Sequence, residues 1–192
     1  MSSQAIPRLT VEQYLAQERA AEFRSEYLNG EVFAMAVGGR NHALIAAAVL
    51  MQFGEQLREK PCAAAGSDLR LFCPQDRMLT YPDITVFCEP ARFLDGDLDT
   101  LVDATVIVEV LSRSTQNYDR SEKFRFYRGL PSFSEYVLLA QNEIRAEHHV
   151  RQPDGSWLFR EFKEPGAVIE LKSITCELQL GSLYAKARFD QT

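Results

Sequence analysis

The 192 residues suit one compact domain, and 46% hydrophobic with 25% charged residues is an ordinary globular composition. The net charge of -6 and pI near 5.2 exclude a protein that coats nucleic acid through bulk positive charge, though not one with a locally basic cleft. Cys62, Cys73, Cys88 and Cys176 lack C-x-x-C or zinc-finger spacing, so a reduced, cytoplasmic chain is expected. The N-terminus has no apolar leader core, and the low-charge stretch 43–53 is too short to cross a bilayer, so no membrane contact is expected.

In chain order, Thr10 and Gln13 form a capping-box pattern that opens a short helix to about residue 18. Residues 25–35 read as a hairpin about Asn29-Gly30, the dipeptide that suits two consecutive positive φ angles. Residues 41–58, free of Pro and rich in Ala and Leu, predict a long helix. Strands follow at 68–72, 83–88 and 104–111, the last an almost unbroken apolar run covered on both faces. Asp119-Arg120-Ser121-Glu122 reads as a second capping box, opening a helix that stops at Gly129-Leu130-Pro131. A strand at 135–140 precedes a β-rich tail: 144–151, the turn Pro153-Asp154-Gly155, 157–162, 168–171 and a last short segment. The order predicts a mixed α/β (α+β) domain on one central sheet, with a core over about 10–140 and a β extension over about 141–186.

Glu109 interrupts an apolar strand and shares its face with Ile107 and Leu111. A carboxylate there is costly unless it is paired, protonated or bound to a metal, and from this strand alone an ion pair reads as well as a metal. Asp83 starts a neighbouring apolar strand. Two carboxylates on adjacent strands make a hard-oxygen site for Mg²⁺ or Mn²⁺. Lys123, one turn into the next helix, could neutralise charge on a phosphodiester under attack, or be an ordinary solvated lysine. Around it Arg113, Arg120, Arg125 and Arg128 form the one basic stretch, either a phosphate-binding cleft or a paired helix face. His42 is an accessory candidate as ligand or base, though more often such a His is a satisfied polar group. His148 and His149 alternate on a strand and read as surface residues. Asp68 could hydrogen-bond near the site or simply end a strand. The polar residues of 112–115, with Asn117 and Tyr118, could bind phosphate or cap the next helix.

Tyr81-Pro82-Asp83, Val108 to Thr115, Asp119 to Tyr127, Glu135-Tyr136, the 26–31 hairpin and His42 together resemble the Uma-type restriction endonuclease family, of the PD-(D/E)XK nuclease superfamily. The resemblance covers about 10–140 and extends more loosely beyond. It implies a restriction-endonuclease-like fold and a metal-dependent endonuclease that hydrolyses DNA phosphodiester bonds. Asp83 and Glu109 would hold Mg²⁺ or Mn²⁺, with the Val110 carbonyl as a further ligand. Where the superfamily carries a lysine two residues after the acidic one, this chain has Leu111, and Lys123 is its match on the following helix. Glu31 would be the extra acidic residue of the N-terminal region, with Glu26 as its competitor. Val137 stands where relatives tend to carry Trp, a packing change. DNA is the implied partner, and a homodimer is the assembly such folds often use. The rival readings are a non-catalytic binding or regulatory protein that kept the fold, and a structural module whose carboxylates only fix it.

Overall fold

A computed structural model describes residues 8–35, 38–96 and 99–189. The first seven residues, part of the stretch read for a leader, lie outside the described residues. Helix α1 (Val11–Ala20) starts where expected: the Thr10 side chain accepts from the Gln13 N–H, and Gln13 reaches back to the Thr10 N–H. The hairpin follows as β1 (Ser25–Leu28) and β2 (Glu31–Ala34), joined by Asn29 at φ 46° and Gly30 at φ 98°. Two positive angles are what a twist-matched two-residue hairpin turn demands. Helix α2 spans Arg40–Gln56 and turns Ile45, Val49 and Phe53 inward. This spacing of four makes one buried stripe.

Strands β3 (Cys62–Gly66), β4 (Arg70–Cys73), β5 (Met78–Thr80), β6 (Ile84–Cys88), β7 (Thr100–Leu101) and β8 (Val106–Leu111) come next. The segment after β8 runs through α3 (Gln116–Tyr118), a π-helical turn at Asp119–Lys123, and α4 (Phe124–Tyr127). Asp119 is therefore in the middle of a helical run and not its cap, correcting the capping-box reading. Strands β9 (Glu135–Ala140), β10 (Ala146–Arg151), β11 (Trp157–Phe162), β12 (Val168–Leu171) and β13 (Cys176–Gln179) and helix α5 (Leu180–Tyr184) complete the described chain.

The expected mixed α+β architecture is present, but the strands divide where one central sheet was expected. One sheet runs β11-β10-β9-β8-β6-β3, a second β2-β1-β5-β4-β7, and β12 pairs with β13. β8 is central, as its unbroken burial requires: β6 pairs with it antiparallel and β9 parallel. Its two faces feed different cores. Val106, Val108 and Val110 pack with α2, β12, β13 and α5. Ile107 and Leu111 pack with Phe126, Tyr127, Tyr136 and residues of the second sheet. The site grows on this second face, where two sheets and the 116–127 helical run meet.

Two further expectations are corrected here. Cys62 and Cys88 are register partners on β3 and β6 and form a disulfide, so the cysteines are not all reduced; Cys73 and Cys176 are free and buried. His148 is not a surface residue: it is 2% exposed, and its Nε2 lies 2.6 Å from Glu135 Oε2. No helix among the described residues is long and apolar enough to cross a membrane.

Candidate metal and phosphate cleft

The β6–β8 register sets Ile84 against Val108, and one step further Asp83 meets Glu109. The two acids are laced together through backbone. The Asp83 N–H donates to Glu109 Oε2 at 3.1 Å, and the Val110 N–H donates to Asp83 Oδ2 at 2.7 Å. His42, in the first turn of α2, places Nε2 3.0 Å from Asp83 Oδ2. Lys123 reaches in from the π-helical turn. Its Nζ lies 3.1 Å from Glu26 Oε1, 3.2 Å from Glu109 Oε1 and 3.7 Å from Asp119 Oδ1. The Tyr127 hydroxyl donates to Glu109 Oε1 at 2.8 Å, and the Thr80 hydroxyl donates to Glu26. Asp119, Lys123 and Tyr127 recur every four residues, so one helical stripe serves the whole cluster.

Glu26, His42, Asp83, Glu109, Asp119 and Lys123 line a cleft of about 510 Å³ together with Tyr118, Ser112 and Arg113, with Thr80 and Tyr127 buried behind it. A larger cavity of about 760 Å³ lies between α2 and β12–β13. Its acids, Glu55, Glu170 and Glu177, are solvent-exposed, and it gathers no buried charged network, so the smaller cleft is the candidate site.

The electrostatics follow from burial and an imbalance of charge. Four carboxylates, Glu26, Asp83, Glu109 and Asp119, meet one ammonium and one imidazole. Burial pushes the Glu109 carboxyl up to about 8; Lys123 pulls it down, while Asp83 and Asp119 add to the rise. Burial likewise raises Asp119, against Lys123. For Lys123 burial acts downward, but Glu109, Glu26 and Asp119 outweigh it and hold the ammonium well above its ordinary value. The hydrogen bond to Asp83 raises His42, against burial and with the charges of Asp83, Glu109 and Asp119. So much negative charge in a partly closed cleft favours a further cation or a retained proton.

Do these residues fit a metal? Among the described residues, no group of three or more His, Cys, Asp or Glu is arranged to enclose one. That excludes a cage of the zinc type. Two laced carboxylates on a solvent-reaching cleft do fit Mg²⁺ or Mn²⁺, ions that bind through one or two carboxylates and keep several waters.

Not every candidate from the sequence reaches the cleft. Asp83, Glu109, Val110, His42, Glu26, Lys123 and Arg113 line it. Glu31 does not: β2 is an edge strand with all four residues exposed, and Glu31 lies 3.8 Å from Arg8. Glu26, on β1 beside β5, occupies the cleft instead. Asp68 is exposed and pairs with Arg24. Arg120 is bound to Glu147 at 2.7 Å, and Arg125 to Asp76 at 2.7 Å and Glu122 at 3.2 Å. The Arg128 guanidinium lies over the Phe124 ring. These three are absent from the cleft lining, so the basic stretch divides, with Arg113 alone turned to the site. The sequence pattern makes Asp119 a helix cap and not a member of the site, and it singles out Tyr127 for neither role. Their spacing of four on either side of Lys123 was the available signal.

Comparison with known proteins places the chain as a whole. Residues 11–183 match the Uma2 family, described as "Putative restriction endonuclease". The chain belongs to this family. Two Synechocystis sp. relatives of the Uma2 chain are slr1290, 30% identical over 97% of each chain, and sll1609, 32% identical over 84% of this chain and 92% of that one. The fold is similar to that of a crystal structure from Anabaena variabilis titled as a "putative nuclease", with a TM-score of 0.75, 17% identity, and 92% of this chain and 98% of that chain covered.

Proposed function

We propose that this Uma2 protein is a divalent-metal-dependent endonuclease that hydrolyses DNA phosphodiester bonds. The observation that carries the reading is the convergence of three carboxylates, Glu26, Glu109 and Asp119, on Lys123 in one cleft, with Asp83 laced to Glu109 beside them. Asp83 and Glu109, with the Val110 carbonyl, would hold Mg²⁺ or Mn²⁺. The ion, when bound, supplies Lewis-acid stabilisation of the charge that develops on phosphate oxygens.

The chain's own groups do the rest. Asp83 and Glu109 are pre-oriented by each other's strand N–H groups, so little reorganisation is needed on substrate entry. Tyr127 fixes the rotamer of Glu109 by donating to Oε1. Lys123 brings a permanent positive charge to the cleft, where it offsets charge gathering on the scissile phosphate. His42 holds a proton between Nε2 and Asp83 Oδ2, a position from which it can give or take one at the cleft wall. Glu26 and Asp119 hold the Lys123 ammonium in place.

A second reading has its own support. Glu109 Oε1 is already engaged by both Lys123 and Tyr127, as expected of a non-catalytic protein that kept the nuclease fold. Two measurements separate the readings. Calorimetric titration of Mn²⁺ and Mg²⁺ should show binding that Asp83→Ala abolishes. Supercoiled plasmid should be nicked by the wild type with either ion and left intact by Asp83→Ala and Glu109→Ala. Metal binding by neither protein, together with no cleavage, would select the non-catalytic reading.

A further inference from the structure

The acidic cleft does not end at Arg113. A second cleft, of about 680 Å³, adjoins it and shares Gly39, Arg113, Gln141 and Asn142 as its lining. Here the charge changes sign. The second cleft is lined by Arg40, Arg113 and Arg188, with Glu143 as its acid. Glu143 is engaged by Arg145 at 3.3 Å. All three arginines are exposed, and among the described residues no carboxylate pairs with any of them. Two arginines of the 113–128 stretch behave otherwise: Arg120 and Arg125 are neutralised by Glu147, Asp76 and Glu122. Unpaired guanidiniums lining one cleft repel one another, and each planar fork can donate two parallel hydrogen bonds to the oxygens of a tetrahedral phosphate.

The three come from distant parts of the chain, and one residue ties two of these parts together. Asn41 donates through Nδ2 to the Arg188 carbonyl at 2.7 Å and to the Gln141 carbonyl at 3.0 Å. Its Oδ1 accepts the Arg188 N–H at 3.1 Å. The C-terminal segment is thereby fixed against the start of α2 and the end of β9, beside the loop that carries Arg113. The backbone that carries Arg40 and Arg188 is thereby set in advance of any ligand.

We infer that this arginine-lined cleft is the track for the DNA backbone flanking the scissile phosphate, with Arg40, Arg113 and Arg188 each contacting phosphate. The inference rests on the nuclease reading for its substrate, but it is tested by binding alone. The probe is a fluorescein-labelled 20-base-pair DNA duplex, followed by anisotropy with Ca²⁺ in place of Mg²⁺ across a series of salt concentrations. Three phosphate contacts correspond to a slope of log K against log salt of about 0.9 each, so Arg40→Gln/Arg113→Gln/Arg188→Gln should flatten the slope by about 2–3 and weaken binding at least tenfold. A control that removes three charges elsewhere, Arg58→Gln/Arg160→Gln/Lys172→Gln, should leave the slope within error of wild type.

Equal loss in the control, an unchanged slope in the arginine variant, no duplex binding by the wild type, or tighter binding of single-stranded RNA than of the duplex would each overturn the inference. If the triple variant melts below the wild type, Arg113→Gln alone carries the test, with a slope change of about 1 expected. Cleavage is scored separately in Mg²⁺. Arginine-dependent binding without cleavage leaves the track standing and removes the nuclease reading. Cleavage with no arginine dependence does the reverse.

Discussion

Replacing Lys123 by Met keeps the length of the side chain and removes its charge. At an effective dielectric of about 20, unit charges 3.2 Å apart, as for Lys123 and Glu109, attract by about 5 kcal/mol, much of it offset by desolvation of both groups. The variant loses that attraction and leaves Glu26, Glu109 and Asp119 without their shared cation. Removing one partner of a buried network costs roughly 3–5 kcal/mol, because the remaining charges stay desolvated. For a chain of this size that lowers the melting temperature by roughly 10 °C.

The pH dependence has a definite sign. Glu109 in the wild type stands at about 8, raised by burial against Lys123, and without the lysine it rises further. A carboxyl raised on folding is protonated in both states below its unfolded value near 4.5, and it loses stability as pH rises through the folded value. The deficit of the variant should therefore be smaller at pH 5, where Glu109 is protonated in both proteins, and larger at pH 9, where the wild type ionises it beside Lys123. Mn²⁺ at 100 times its dissociation constant should restore about 2.7 kcal/mol if it binds only the folded state. Urea denaturation at both pH values, with and without Mn²⁺, measures all of this. A deficit below about 1 kcal/mol at pH 9, or an equal deficit at pH 5, would refute the reasoning.

Three other outcomes are expected. Tyr127→Phe removes a buried donor to Glu109 and should cost about 1–3 kcal/mol in urea denaturation at neutral pH. The His42 imidazole in metal-free protein should titrate above 6.5 by NMR and fall back in Asp83→Asn; its contribution to stability is fully present below 6.5 and fades as pH rises through the raised value, so the gap between wild type and His42→Gln should close at high pH. Glu31→Gln should leave Mn²⁺ affinity by calorimetry unchanged, whereas Glu26→Gln should alter it, because only Glu26 contacts the buried network.

The features legible in the sequence are those written in local dihedrals and in strand or helix period. The Thr10–Gln13 box and the Asn29-Gly30 turn specify their own geometry, wherever the rest of the chain goes. The period of two put Glu109 on the face of Ile107 and Leu111, and its burial among that face's core follows from it. What tertiary structure decided was which remote element meets each face. Glu26 and Glu31 sit on one hairpin with equal chemistry; pairing of β1 with β5 turned Glu26 into the cleft and left β2 as an exposed edge. The β9–β10 pairing brought a buried His148 to Glu135, and the β3–β6 register brought Cys62 to Cys88. The basic stretch divided for the same reason. Glu147 and Asp76, far along the chain, claimed Arg120 and Arg125, while Arg40 and Arg188, which no local pattern singles out, arrived beside Arg113. A charge's partners are set by long-range closure of the fold, and a sequence window carries no term for that closure.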